Sequence, residues 1–137
     1  MKKNNFFILF LFLGILNSKA QSTPEQLCDK FAAAFFQNDT TLLKSICSPD
    51  EKMRKETLSQ LNDIYIQGMN EEKISWNLIT TVTSGAMLKG EKGKPAKGAN
   101  VVITFSNNDA TYKINIWNCH VIEGVWKLGN KISLKKE

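Results

Sequence analysis

The chain has 137 residues and a formal net charge of +5, with 18 basic and 13 acidic side chains, one histidine and three cysteines. Three of the lysines, Lys2, Lys3 and Lys19, lie in an N-terminal segment expected to be removed. The remaining +2 gives no support to a nucleic-acid partner. Cys28, Cys47, Cys119 and His120 have no metal-ligand spacing, which argues against a zinc site, and neither a metal nor a cofactor is expected.

Residues 1–20 have the three regions of a cleavable signal peptide: Lys2 and Lys3, an apolar run from Phe6 to Leu16, and Asn17-Ser18-Lys19-Ala20 with small residues before a cut after Ala20. The apolar run is short for a permanent membrane anchor. Gln21, rather than cysteine, follows the cut, which argues against a lipoprotein. The expectation is a periplasmic or secreted protein with no stable membrane anchor after cleavage. Residues 21–137 would form one domain, large enough to bury on the order of two-thirds of its unfolded surface.

A first helix is predicted from Pro24 to Gln37, with Thr23 as cap, proline in the first turn, and Leu27, Phe31, Ala34 and Phe35 at helical spacing. Asn38-Asp39 interrupts the pattern, and Asp39 can cap a short second helix whose apolar face is Leu42, Leu43 and Ile46. Ser48-Pro49-Asp50-Glu51 reads as a capping box with Ser48 at the cap, starting a third helix that Gly68 should stop.

From Ile74 the period changes to two. Ile74, Trp76, Leu78 and Val82 alternate with polar residues and predict a strand ending near Lys89. The Gly- and Lys-rich stretch 90–98 reads as a loop before a strand whose apolar face is Val101, Ile103 and Phe105. After the turn at Asn107-Asn108-Asp109 a long strand should run from Ala110 to Ile122. Its apolar set shifts phase near Trp117, which predicts a bulge or bend. Glu123-Gly124 and Gly129-Asn130 mark turns around two final strands. Helices first, then strands joined largely by short connections, predict an α+β domain: helices on one face of a curved antiparallel sheet.

Phe35-Phe36-Gln37-Asn38-Asp39, the following Thr40-Thr41-Leu42-Leu43-Lys44-Ser45-Ile46-Cys47-Ser48-Pro49 and the hairpin Gly124-Val125-Trp126-Lys127-Leu128 resemble the nuclear transport factor 2-like (cystatin-like cone) superfamily. Within it, they are similar to small exported bacterial domains of unknown function related to lumazine-binding-like proteins. The resemblance implies a sheet curled around the helices into a cone whose open end can hold an apolar ligand. Tyr65, Trp76 and Trp117 are the candidate lining residues, with His120 as the one base that could join them. Ordinary core packing is the alternative for the aromatic three.

Some members of the superfamily are isomerases and dehydratases that place an aspartate or histidine in the cone. The predicted strands here are nearly empty of carboxylates. His120 follows Cys119 directly, so on a regular strand the two side chains face opposite ways and cannot pair. No catalytic residue is therefore assigned. The expected role is a non-catalytic binding module for a small apolar molecule or a protein partner, in or beside the cone pocket, and compatible with an oligomer. The alternatives are a pocket enzyme of the isomerase or dehydratase type, or docking on an anionic surface through the Lys89–Lys97 loop.

Cys28 and Cys47 lie ten residues before and nine after the turn at Asn38, so antiparallel helices would bring them level. Export permits a disulfide between them, and unreactive buried thiols are the alternative.

Overall fold

The computed structural model describes residues 21–137 apart from Glu91 and Pro95. The expected signal peptide lies outside the described residues. Helix α1 spans Pro24–Phe36, α2 Thr40–Ile46 and α3 Glu51–Asn70; strands follow as β1 Val82–Lys89, β2 Gly98–Asn107, β3 Ala110–Ile122, β4 Val125–Lys127 and β5 Lys131–Lys136. The domain is α+β, with helices packed on a curved antiparallel sheet.

The first two helices start where their capping residues require. Thr23 Oγ1 accepts from the Gln26 N–H at 3.1 Å, and Asp39 Oδ1 accepts from the Leu42 N–H at 3.0 Å. Asn38 turns the chain between them in the left-handed region at φ 54°. The stripe Leu27, Phe31, Ala34 and Phe35 is buried against the sheet.

Helix α3 departs from expectation at both ends. Its cap is Asp50, whose Oδ1 accepts from the Met53 N–H at 2.8 Å, while Ser48 Oγ accepts from the Asp50 N–H at 3.2 Å. The reason is tertiary. Cys47 pairs in parallel with Leu128, and the Leu128 N–H donates to the Ile46 carbonyl at 2.9 Å, so the chain leaves α2 extended and cannot coil until it clears this bridge. Gly68, the expected stop, lies inside the helix. Its missing side chain makes room for the Trp76 indole, because a Cβ there would overlap Cζ2 and lie 2.9 Å from Cε2.

The strand predicted from Ile74 begins only at Val82, after a 3₁₀ turn over Trp76–Leu78. Ile74 and Trp76 are buried, and the Trp76 Nε1–H donates to the Tyr65 carbonyl at 2.9 Å. The alternation there reflects two anchors holding the chain on α3, not a sheet ladder.

β1 pairs with β2 and β2 with β3. The other edge of β3 is shared end to end by β5, along Tyr112–Trp117, and β4, along His120–Ile122. Between the pairs Ala99–Cys119 and Val101–Ile116, Asn100 alone opposes Trp117 and Asn118. This is the bulge that the phase shift anticipates, and Asn118 adopts φ 63° within it. The bulge restores Cys119 to the core face while Trp117 stays on the outer face. The inner face carries Ala99, Val101, Ile103, Phe105, Tyr112, Ile114 and Ile116, each at most 3% exposed. Burial of each large side chain in this layer contributes about 1.5–3 kcal/mol.

Candidate functional site

The four residues expected around one pocket do not converge. Trp76 is 3% exposed and belongs to an aromatic cluster, edge-on to Phe35 at 5.2 Å, stacked on Tyr65 at 5.6 Å and tilted against Phe105 at 5.4 Å. It fills the core instead of lining a cavity. Tyr65 carries that cluster to the helical surface. Trp117 and His120 are on the outer face of the sheet, where His120 Nδ1 is 3.2 Å from the Asn118 carbonyl oxygen. The bulge at Asn118 precedes Cys119, so Cys119 and His120 still occupy opposite faces.

All three cysteines are free and buried. The expected Cys28–Cys47 bond is not formed, because the level placement along the helices is not matched by rotation about them. Cys28 Sγ turns to the sheet, 3.7 Å from both the Gly85 and Val102 carbonyl oxygens, whereas Cys47 Sγ folds back to the Leu43 carbonyl at 3.1 Å. Burial pushes each of the three thiols up to about 11, so at neutral pH they remain protonated and poorly nucleophilic. Among the described residues no group of three or more His, Cys, Asp or Glu could hold a metal ion.

Tyr65 instead borders a groove of about 420 Å³ between the α1–α2 hairpin and α3. Phe35, Leu43, Leu58, Leu61 and Tyr65 form its apolar walls, and Asn38, Thr40, Lys44 and Asn62 supply polar groups. The groove exists because α2 is short. It is tied to α1 by the Asp39 N–H, which donates to the Ala34 carbonyl at 2.8 Å, and to the sheet by the Cys47–Leu128 bridge. The walls contain no carboxylate, histidine or cysteine. Such a set can desolvate an apolar body and hydrogen-bond a polar end.

A second hollow, of about 390 Å³, lies on the outer face of β1–β3 and is bordered by Trp117. The lysines of the 89–97 loop, Lys89, Lys92, Lys94 and Lys97, are exposed at the end of the β1–β2 hairpin.

Of the groove's lining residues the sequence reading singles out Tyr65 alone as a candidate, while Leu58 and Leu61 show only the apolar spacing of a helix. The polar partners Asn38, Thr40 and Asn62 carried no signal of their own, since the groove comes from three helices meeting. The chain matches no family model, no curated protein and no solved structure.

Proposed function

We propose that the protein is an exported, non-catalytic binding module of the nuclear transport factor 2-like kind, whose helical groove holds a small apolar molecule with a polar end. The observation that carries this reading is the groove itself: five apolar walls against four polar or cationic groups, without a carboxylate or imidazole. Its volume of about 420 Å³ falls within the size range of small-molecule sites. The isomerases and dehydratases of the superfamily place an aspartate or histidine in the cone, and the lining of this groove holds neither. Export rests on the N-terminal segment, and action in the periplasm or medium follows from it.

Two-dimensional NMR titration with the apolar fluorophore anilinonaphthalene sulfonate tests the groove. Shift changes should centre on Leu43, Leu58 and Tyr65, and Asn62→Trp, which places a bulky ring at the exposed rim, should abolish them while leaving the fold intact. Binding that maps elsewhere, or that survives Asn62→Trp, would overturn the assignment.

A further inference from the structure

We propose that the outer face of the sheet, centred on Trp117, is a second binding site, and that its ligand is an acidic saccharide, a sugar chain bearing carboxylates. The hollow there is floored by Gly85 and Val102 and walled by Met87, Asn100, Asn115 and Trp117. Its depth comes from the missing side chain at Gly85, in the middle of β1 opposite Val102. Met87, 70% exposed, closes one side and the half-buried indole of Trp117 the other.

The chemistry of the walls selects the ligand. An indole with an open margin offers a flat apolar surface to the C–H face of a pyranose ring. Asn100 and Asn115 each carry both a donor and an acceptor, which suits hydroxyl groups that also do both. Asn100 Oδ1 accepts from the Asn118 N–H at 3.3 Å, which fixes the residue against the bulge without using its amide hydrogens. Ser133, paired across the sheet with Asn115, has the described residues' one buried side-chain polar atom without a hydrogen-bond partner.

Charge decides between neutral and acidic sugars. Lys131 Nζ reaches over the Trp117 ring, 5.7 Å from its centroid, and so places a cation beside the same indole. Lys113 and Lys135 face each other across β3 and β5, with Lys113 paired to Glu137 at 2.8 Å. Strands β1, β2, β3 and β5 contain no acidic residue. Lys131 and Lys135 thus put cationic groups along the β5 side of an aromatic and amide centre, with Lys113 balanced by Glu137, and a chain of uronate-type sugars matches both. Two copies of this protein apposed through the face would bring lysine against lysine, which disfavours self-association there.

Calorimetric titration of the full protein with a hexameric oligogalacturonate, a neutral cellohexaose and an oligothymidylate of equal length tests the proposal, with backbone NMR shifts to locate binding. The oligogalacturonate should bind saturably, with shifts at Gly85, Asn100, Asn115 and Trp117, and more weakly as NaCl rises from about 50 to about 500 mM. Trp117→Ala and Gly85→Val should each weaken it about tenfold or more. Lys131→Gln should reduce affinity and flatten the salt dependence. Gly85→Val guards against misfolding: a Cβ at Gly85 meets only Val102 Cγ1, at 3.8 Å, so the variant fills the hollow without a steric conflict at that atom. No saturable binding of the acidic saccharide, unchanged binding by Trp117→Ala or Gly85→Val, tighter binding of the neutral sugar or the oligothymidylate, or a Trp117-dependent dimer in sedimentation would each overturn it.

Discussion

Gly129 lies so close to Asn118 that a Cβ built on it would sit 2.6 Å from the Asn118 carbonyl carbon and overlap the Trp117 carbonyl oxygen. The turn between β4 and β5 is thereby pressed against the bulge in β3. The same glycine is held from the other side, since the fully buried Thr57 donates from Oγ1 to the Gly129 carbonyl at 3.0 Å. Close approach, not backbone conformation, demands glycine here.

Gly129→Ala is therefore expected to destabilise the domain by about 3 kcal/mol or more, the scale of overpacking against rigid backbone. Gly124→Ala is the internal control. Gly124 has φ 78° and nothing within 4 Å of its Cβ position, so alanine there should cost only the conformational term, about 1 kcal/mol. Urea unfolding of both variants measures the difference, and equal losses would refute the steric account.

Gly68 provides a test whose sign opposes helix propensity. In an exposed helix interior Gly→Ala stabilises by about 1 kcal/mol. At Gly68 the alanine methyl would collide with the Trp76 indole, whose N–H is already committed to the Tyr65 carbonyl, so Gly68→Ala should lower stability. Thermal unfolding followed by tryptophan fluorescence should show a lower Tm, and a higher one would mean that the indole can move aside.

Gln21 anchors the start of the domain. Its Nε2 donates to the Trp126 carbonyl at 2.6 Å, its Oε1 accepts from Lys30 Nζ at 3.2 Å, and its own carbonyl accepts from the Trp126 N–H at 2.9 Å. Gln21→Ala should cost about 1–3 kcal/mol, because it removes the side-chain hydrogen bonds to the Trp126 carbonyl and from Lys30. Intact-mass measurement of protein recovered from periplasm or medium should give a chain beginning at Gln21 with its side-chain amide retained, since cyclisation would break the contact with Trp126. Recovery of only the full-length chain, in the cytoplasm, would refute export.

The buried thiols set a pH dependence. Each is pushed up to about 11 in the fold by burial, from 9.0 in the open chain. Below the lower value both states hold these protons and stability is unaffected by them. Between the two values the unfolded chain releases protons that the folded chain keeps, so stability falls as pH rises, by at most about 1.4 kcal/mol per pH unit for each thiol. Lys30 acts in the opposite sense, because burial and the neighbouring Lys127 lower its pKa. Three thiols against one lysine predict a net fall. Urea midpoints at pH 8 and pH 10.5 measure it, and thiol titration at pH 8 should find three reactive groups only after unfolding.

Local chemistry was enough to read much of this protein. The caps at Thr23 and Asp39, the stripe of α1, the bounds of β3 and its bulge all follow from side chains acting within a turn or two of their own backbone, so their signals survive in sequence order. The α+β class follows from the order of those elements. What the sequence left open depended on contacts between distant segments. The start of α3 was set by Leu128 pairing with Cys47, the persistence of α3 past Gly68 by Trp76, and the separation of Cys28 from Cys47 by which helix face met the sheet. Tyr65, Trp76 and Trp117 look alike as aromatic residues in a pattern. Only the tertiary structure placed one on a groove, one in the core and one beside an outer-face hollow, because the way the helices rotate and pack on one another and on the sheet decides which aromatic side chain is covered, and that packing is not written in composition or spacing.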